Sequence, residues 1–488
     1  MSRINSNVMS LIAQRNLQRS NNDLQVHLQR LSTGLAITRG ADNPSGLIVS
    51  ERLRSEIAGV RQAIDNSERA ANVIATTDSA LEEIASLLNS MRSLAVEAAN
   101  SGAFSKEEIE ANQLQIDFAV DSITRISNTT SFAGLKTLNG SLDYIVSGVN
   151  AADVTDLKVH NANFGLNASV PVTVEVLNSA ETAGLFIPGD TAGAPGMLLS
   201  SVSFEVQGAK GVDVVEFVSG TALSAVVFRI NSTSDATGVK ASLVNASNQT
   251  SGMTITSTSY GSDAFVSVRK IADGKGAFFQ TFSNQGGSSV NRDVGEDVLA
   301  LINGSLALGD GLDLSFRTPT LNLELTLSER AATTAGTNTF SITGGGANYQ
   351  IGPSINSANQ VGFGVHSVAA TRLGTSDLGF LNSIASDGAN ALTKGKAREA
   401  EAIINTAIDQ ISIQRGRLGA FERNTLQTTL RSQQIALENL TASESDIRDA
   451  DFAAETAALT RAQILVNAGT STLALANSSA QNVLALLQ

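Results

Sequence analysis

Proline is absent from two long stretches at the ends of this chain. The six prolines are Pro44, Pro171, Pro188, Pro195, Pro319 and Pro353, so neither 45–170 nor 354–488 contains one. Because proline breaks helix interiors, both stretches are free to form long helices. The distribution predicts a chain that begins and ends as helical rods, with its middle projecting outward, an architecture that suits a polymer subunit better than an enzyme.

The composition narrows the class of protein further. At 488 residues the chain can hold several domains, and its formal net charge of −13 disfavours binding to phosphate backbones or anionic membranes. With no cysteine, disulfides and Cys-ligated metals are excluded. No Sec-type apolar core follows Met1, and no apolar run approaches a membrane-spanning length. We therefore expect a cytoplasmic protein, or one exported without a cleaved N-terminal signal.

Apolar residues recur at helical spacing through the N-terminal stretch. A first helix is predicted from about Ile4 to Leu35, with one apolar stripe formed by Leu24, Leu28, Leu31 and Leu35. Turn residues at 39–46 break this pattern. A second helix of about 50 residues, roughly 75 Å long, follows, with coiled-coil spacing at Leu53, Ile57, Val60, Ile64, Ala71, Ile74, Leu81, Leu88 and Ala95. Ser105 and Glu108 form a predicted capping box for a third helix.

The middle of the chain changes to alternation by two, which is typical of strands. Valines at 170, 172, 174 and 176 alternate with other residues, and leucines alternate on both sides of a turn at 317–320. A short helix is predicted at Ala222–Asn231. We therefore expect residues of roughly 145–385 to be mostly β, with room for more than one subdomain.

The helical pattern returns near Lys396 and continues to Leu440, and Thr441–Ser445 is predicted to be a break or kink. A last, alanine-rich helix is predicted from Ile447 to Leu487, with a stripe that includes Phe452, Leu459, Ile464, Leu473, Val483 and Leu487. An isolated apolar terminal helix would be marginal, so it needs the N-terminal helix or another subunit as a partner. The predicted fold class is α+β and multidomain: long helical coiled-coil or bundle rods at both termini, with antiparallel pairing of the terminal segments, and a mostly β central insertion.

No residue pattern indicates catalysis, a cofactor or a metal. His27, His160 and His366 are scattered, and no His-Glu-x-x-His motif occurs, so each is interpreted as a solvated or core histidine. Gly344–Gly346 lacks the context of a phosphate loop, and Gly309–Asp313 is interpreted as a turn. The carboxylates Asp449, Asp451 and Glu455 are expected to complement a helix macrodipole.

Several motifs at both termini resemble bacterial flagellin, the filament subunit of the flagellum. The N-terminal ones are Leu28-Gln-Arg-Leu-Ser-Thr-Gly34, Ala41-Asp-Asn-Pro-Ser-Gly-Leu47, Leu94-Ala-Val-Glu-Ala-Ala-Asn-Ser101 and Thr130-Ser-Phe-Ala-Gly-Leu-Lys-Thr-Leu-Asn-Gly140. The C-terminal ones are Ile447-Arg-Asp-Ala-Asp-Phe-Ala-Ala-Glu455, Arg461-Ala-Gln-Ile-Leu465, Ala468-Gly-Thr-Ser-Thr-Leu-Ala474 and Gln481-Asn-Val-Leu-Ala-Leu-Leu487. In the middle, 220–242 resembles the hook IN motif of some flagellins.

The resemblance implies a layered polymer subunit. Residues 1–45 and 446–488 would form an inner helical polymerisation layer around a channel. Residues 46–145 and 386–445 would form a second helical layer with a small β-hairpin that extends to about 177, and 178–385 would be exposed at the surface. The assembly residues would be those of the terminal helices: Leu24, Leu28, Leu31, Leu35, Phe452, Leu459, Arg461, Ile464, Leu465, Leu473, Val483, Leu484 and Leu487.

The resemblance also implies partners and a location. The chain would be exported unfolded through the flagellar type III apparatus, with a cytoplasmic chaperone on its C-terminal helix, and would end in the extracellular filament. It would form a homopolymer that meets the hook–filament junction and cap proteins, with no nucleic acid and no membrane insertion. Two alternatives remain open at this point: the hook–filament junction protein of the same superfamily, and a coiled-coil surface adhesin, which would need an export signal and an anchor.

One segment resembles the site that a vertebrate surface receptor reads in many flagellins, where two arginines and a glutamate precede Leu-Ala-Val. Here the segment contains Asn89, Ser90, Met91, Arg92, Ser93 and Leu94. Arg92 is kept, but Ser90 replaces the other arginine and Ser93 replaces the glutamate. A lost guanidinium removes up to five donors, so the resemblance implies weak receptor recognition.

Overall fold

The computed structural model describes residues 7–100, 102–165, 167–189, 196–273 and 280–485. These residues contain nine α-helices: α1 (Val8–Thr33), α2 (Pro44–Ala99), α3 (Lys106–Thr129), α4 (Leu223–Asn231), α5 (Ser234–Thr237), α6 (Glu329–Ala332), α7 (Ala397–Phe421), α8 (Gln427–Arg448) and α9 (Phe452–Ala485). A π-helical turn, Glu422–Leu426, joins α7 to α8. The prediction of helical termini around a central β-rich region is confirmed.

The strands occupy the middle of the chain. In chain order they are β1 (Ser131–Phe132), β2 (Leu135–Lys136), β3 (Tyr144–Ser147), β4 (Val154–Ala162), β5 (Val170–Asn178), β6 (Thr182–Ile187), β7 (Val202–Gly208), β8 (Val212–Phe217), β9 (Val239–Leu243), β10 (Met253–Tyr260), β11 (Phe265–Asp273), β12 (Arg292–Val294), β13 (Leu299–Ile302), β14 (Ser305–Leu306), β15 (Leu308–Asp310), β16 (Asp313–Arg317), β17 (Leu321–Leu327), β18 (Gly336–Gly345), β19 (Ala347–Gln350), β20 (Gln360–Phe363), β21 (Gly374–Thr375) and β22 (Gly379–Phe380).

The described residues divide into two compact units. The terminal unit comprises the described parts of Met1–Ala71, Gln350–Gln360 and Ala420–Gln488, and the central unit comprises those of Asn72–Tyr349 and Val361–Gly419. The terminal unit contains α1, α8, α9 and the beginning of α2. The assignment of parts of the chain to layers of a filament stays a prediction.

Helix α2 has the heptad spacing that its sequence predicts. From Ser67 to Ala98, one stripe of buried residues alternates at steps of three and four, with Val73 buried beside it: Ser67, Ala70, Ile74, Thr77, Leu81, Ile84, Leu88, Met91, Ala95 and Ala98. In the central unit, α3 contributes the buried residues Ile116, Val120 and Ile123, and α7 contributes a stripe that includes Ile404 and Ile411. Helix α3 begins with the predicted capping box, in which Ser105 Oγ accepts from the Glu108 amide and Glu108 Oε2 accepts from the Ser105 amide.

A first β module within the central unit has its core between two sheets. One sheet has the strand order β14-β13-β5-β18-β3 and the other β15-β16-β17-β4. The predicted strands at 170–176 and 312–327 are β5, β16 and β17, and β16 pairs antiparallel with β17 across the predicted turn. Their alternating residues form the core, which includes Val172, Val174, Leu314, Leu323 and Leu325.

A second β module in the same unit is built from sheets β6-β10-β9 and β12-β11-β7-β8. The predicted short helix is present as α4, whose Leu223, Val226 and Ile230 are buried in this module's core. The chain enters and leaves the module at one point, because Glu181 and Glu296 exchange backbone hydrogen bonds of 2.9 and 3.0 Å.

The predicted break at Thr441–Ser445 is wrong, because α8 continues through it to Arg448. Ser443 Oγ donates to the Asn439 carbonyl and Ser445 Oγ donates to Asp449 Oδ2, so these hydroxyls are satisfied without interrupting the helix. The chain breaks instead at 449–451, where Asp449 has an extended backbone and forms a β-bridge with Leu35.

Candidate assembly surface

Helices α1 and α9 pair in an antiparallel arrangement within the terminal unit. Near the start of α1, Asn7 Nδ2 donates to the Ala476 carbonyl at 2.9 Å and Ser10 Oγ donates to Asn477 Oδ1 at 2.8 Å. At the other end, the Ala36 amide donates to the Arg448 carbonyl at 2.7 Å. The predicted antiparallel pairing of the two chain ends is therefore present.

Gly469 allows close approach of the two helices at their midpoint. A β-carbon at this position would lie 3.2 Å from Leu17 Cδ1 and 3.7 Å from its Cα. The 3.2 Å contact is tighter than ordinary van der Waals packing, so a side chain at position 469 would require Leu17 Cδ1 to move by a few tenths of an ångström. The absence of a side chain at Gly469 therefore lets α9 lie close to Leu17 of α1.

A charged cluster fixes the register of the pair. His27 Nδ1 lies 2.5 Å from Glu455 Oε2, and Arg30 Nη1 lies 3.0 Å from Glu455 Oε1. Burial would raise the pKa of Glu455, but the hydrogen bonds from His27 and Arg30 outweigh it and the pKa is lowered. Asp451 caps α9 by accepting from the amides of Ala453 and Ala454, which agrees with its predicted place at a helix start.

Most apolar side chains of this pair are exposed. Among the described side chains of α1 and α9, only Ala13 and Ala462 are buried. The exposed ones are Val8, Met9, Leu11, Ile12 and Leu28 of α1 and Phe452, Ile464, Leu465 and Leu475 of α9. Two helices with this much exposed apolar surface would bury it against further partners.

The predicted assembly residues all belong to this pair or its ends. Leu24, Leu31, Leu35, Leu459 and Leu473 are half-buried, and Leu28, Phe452, Arg461, Ile464 and Leu465 are exposed. Leu35 follows the left-handed cap Gly34 and so lies just beyond α1. The backbone of Val483 and Leu484 continues α9, while their side chains and all of Leu487 lie outside the described part of the chain. That these residues contact other subunits stays a prediction.

The receptor-like segment lies on α2 in the central unit. Met91 is fully buried and Leu94 is half-buried, whereas Asn89, Ser90, Arg92 and Ser93 are exposed. The Ser90 hydroxyl donates back to the Ser86 carbonyl, and Arg92 Nε lies 3.9 Å from Glu401 Oε1. Both serines thus face solvent, where arginine and glutamate could be accommodated.

A polar cluster around the buried His160 in the central unit was missed by sequence reasoning. His160 Nδ1 lies 3.2 Å from His366 Nε2, and His366 Nδ1 lies 2.9 Å from Asp143 Oδ1. Arg417 of α7 bonds to both His160 and Glu324. Burial, followed by the charges of Arg417 and His366, lowers the pKa of His160, although Glu324 opposes this. The pKa of Glu324 is lowered to about 2, chiefly by its hydrogen bond with His160.

The described residues contain neither a membrane-spanning helix nor a metal-binding cluster. No helix among them is both long and apolar enough to cross a membrane. The same residues hold no group of three or more His, Cys, Asp or Glu placed to bind a metal ion.

Comparison with known proteins gives three matched segments. Residues 4–143 match the bacterial flagellin N-terminal helical region, 402–487 match the bacterial flagellin C-terminal helical region, and 202–259 match the flagellin hook IN motif. The last match lies within the second β module.

Whole-chain relatives carry the same family name. The B-type flagellin of Pseudomonas aeruginosa is 30% identical, with 99% of each chain covered, and the flagellin of Salmonella typhimurium is 27% identical over the same shares. Among solved structures, a flagellar hook-associated protein 3 from Legionella pneumophila is 12% identical with a TM-score of 0.32, covering 81% of this chain and 98% of its own.

Proposed function

Since this chain belongs to the bacterial flagellin family, we propose that its paired terminal helices are the surface through which it polymerises. Flagellins are structural proteins, and the chain is a structural subunit that self-assembles into the extracellular filament of the bacterial flagellum. We propose that residues of α1 and α9 make the contacts between subunits.

The observation that carries the proposal is the exposed apolar surface of the α1–α9 pair. In a lone subunit, side chains such as Met9, Leu11, Ile464 and Leu475 lie in water. Transfer of an aliphatic side chain from water into a packed interface contributes about 1.5–3 kcal/mol. Several such side chains in each copy would therefore favour association with neighbouring copies.

Deletion of Arg461–Gln488 tests the proposal. We expect the truncated chain to stay monomeric at concentrations where the full chain forms filaments, as measured by sedimentation and electron microscopy. The region of about 50–440 should remain folded after the deletion. We expect its main melting transition, measured by circular dichroism, to be unchanged. Normal filaments from the truncated chain would overturn the proposal.

The layer arrangement belongs to the same proposal. Residues 1–45 and 446–488 would form the innermost layer, 46–145 and 386–445 the next, and 178–385 the surface. The support is the change from helical to β pattern along the chain together with the family membership. A cryo-electron microscopy map of filaments would test each assignment, because the radius of every segment can be measured directly.

Export and partner contacts complete the proposal. The chain would leave the cell unfolded through the flagellar type III apparatus, with a chaperone bound to the C-terminal helix beforehand, and would meet the junction and cap proteins at the filament ends. Family membership supports this route. If the chaperone reads the C-terminal helix, the Arg461–Gln488 deletion should abolish its binding in a pull-down from the cytoplasm, whereas unchanged binding would place its site elsewhere.

A further inference from the structure

The loop Gln350–Gln360 belongs to the terminal unit although the residues on both sides of it belong to the central unit. It lies outside the three segments that the family models match, 4–143, 202–259 and 402–487, but within the part of the chain that aligns with whole-chain flagellin relatives.

The loop packs on α2 at a glycine. A β-carbon at Gly59 would lie 3.2 Å from the Pro353 carbonyl oxygen and 3.3 Å from Pro353 Cβ. Glycine in the middle of a helix is unfavourable by roughly 0.5–1 kcal/mol relative to alanine. The close approach of Pro353 gives a physical reason for a glycine at this position, and it fixes the base of the loop on the helix.

Internal hydrogen bonds hold the loop in one conformation. Gln350 Nε2 donates to the carbonyls of Gly352 and Ser354, each at 2.8 Å, and Asn359 Nδ2 donates to the Ser354 carbonyl at 2.9 Å. Asn356 caps a short 3₁₀ turn at Ser357–Asn359. A loop ordered in this way pays little further conformational entropy when it binds a partner.

This ordered loop presents an isoleucine to water. Ile355 is 90% exposed, whereas Ile351 at the base of the same loop is 7% exposed. The hydrogen bonds of the loop therefore hold one aliphatic side chain inward and the other outward.

We propose that Ile355 of one copy packs against the terminal unit of a neighbouring copy in the filament. The terminal unit carries the exposed apolar side chains of the α1–α9 pair, together with Ile435 on α8, so a second copy offers apolar partners at other positions. A contact between two different patches is heterologous, and such contacts build open helical assemblies rather than closed dimers. The inference rests on the proposed polymerisation through the terminal unit and adds a contact outside its paired helices.

Substitution of Ile355 tests the contact by its effect on polymerisation. We expect Ile355→Asp to raise the critical concentration of the full-length chain about tenfold or more, since burial of one aliphatic side chain changes an association constant by at least that factor. Val218→Asp is the matched control, because Val218 is 71% exposed and lies in the central unit. The melting temperature of the monomer should be the same for Ile355→Asp and Val218→Asp. If Ile355→Asp lowers the melting temperature, Ile355→Ser replaces it as the test variant. A critical concentration equal to that of the control would overturn the inference.

The absence of cysteine in this chain allows a second, direct measurement. An Ile355→Cys variant carries a single thiol, and we expect a maleimide to label it at least tenfold more slowly in filaments than in monomers. Equal labelling rates would overturn the contact. The results for the Ile355 variants can be told apart from a failure of the proposed function. That failure would appear as normal filaments formed by the chain that lacks Arg461–Gln488.

Discussion

His160 is buried between charged groups from several elements of the central unit. Arg417 of α7, Glu324 of β17 and His366 face it, and Asp143 holds His366 in place. The lowered pKa of His160 means that the folded chain binds a proton at this imidazole less readily than the unfolded chain does. The folded chain therefore keeps His160 neutral, and acidification acts against the fold at this point.

The expected consequence is a loss of stability as the pH falls below about 6.5, the ordinary pKa of histidine. Above that value the imidazole is neutral in both states and contributes no pH dependence. We predict that the melting temperature of the central unit falls more between pH 7.5 and pH 5 in the unsubstituted chain than in His160→Gln, as measured by differential scanning calorimetry. Glu324 loses its contribution only as the pH falls from about 4.5 toward 2, outside this range. Equal decreases in melting temperature between pH 7.5 and pH 5 for the unsubstituted chain and His160→Gln would contradict the prediction.

The receptor-like segment gives a second prediction at the residue scale. Because Ser90 and Ser93 are exposed on α2, Ser90→Arg with Ser93→Glu should leave the fold intact and restore the donors and the carboxylate that the recognised motif contains. We expect the monomer to activate the vertebrate receptor weakly, and the double variant to lower the half-maximal concentration more than tenfold, about 1.4 kcal/mol.

Ser79→Arg on the same helix is the control for a general charge effect, since Ser79 is also exposed. A response from the unsubstituted monomer as strong as that of a flagellin with the full motif would refute the prediction of weak recognition. A response to the double variant no larger than that to Ser79→Arg would refute the roles of positions 90 and 93.

At the scale of elements, apolar periodicity predicted the long helices and the strongest strands. The heptad stripe of α2 and the leucine alternation of β16 and β17 each bury one continuous face, so local spacing alone determines them. The break assigned to Thr441–Ser445 failed because serine and threonine can bond within a helix as well as cap one. The polar cluster could not be predicted, because its five residues come from positions between 143 and 417 and meet only through tertiary packing.

The pairing of α1 with α9 depends on Glu455 more than on a buried core. Glu455→Gln keeps the size of the side chain but removes the charge that His27 and Arg30 share, and we expect a loss of about 1–2 kcal/mol in the pairing of these helices. Hydrogen exchange should show amide protection in α1 and α9 falling by roughly tenfold. Glu438→Gln, an exposed carboxylate on α8, is the control, and equal protection in the two variants would contradict the expected role of Glu455.

At the scale of the whole molecule, the middle of the chain divides into two β modules with separate cores. The sequence predicted a mostly β middle, but it could not separate two β modules, because both have the same strand alternation and Gly-rich turns. The separation becomes visible only in the tertiary packing, which places Ala180 and Val298 in the first core and Ala183 and Val266 in the second. The second module is an insertion whose two ends meet at the Glu181–Glu296 bridge.

This geometry predicts that the second module can be removed without unfolding the rest. Glu181 and Glu296 exchange both backbone hydrogen bonds, so deletion of 182–295 leaves an antiparallel pair that a two-residue Asn-Gly turn can close. We expect the shortened chain to keep the melting transition of the first module and to form thinner filaments, as measured by calorimetry and electron microscopy. A folded 182–295 deletion that never polymerises would mean instead that the second module makes contacts that the filament requires.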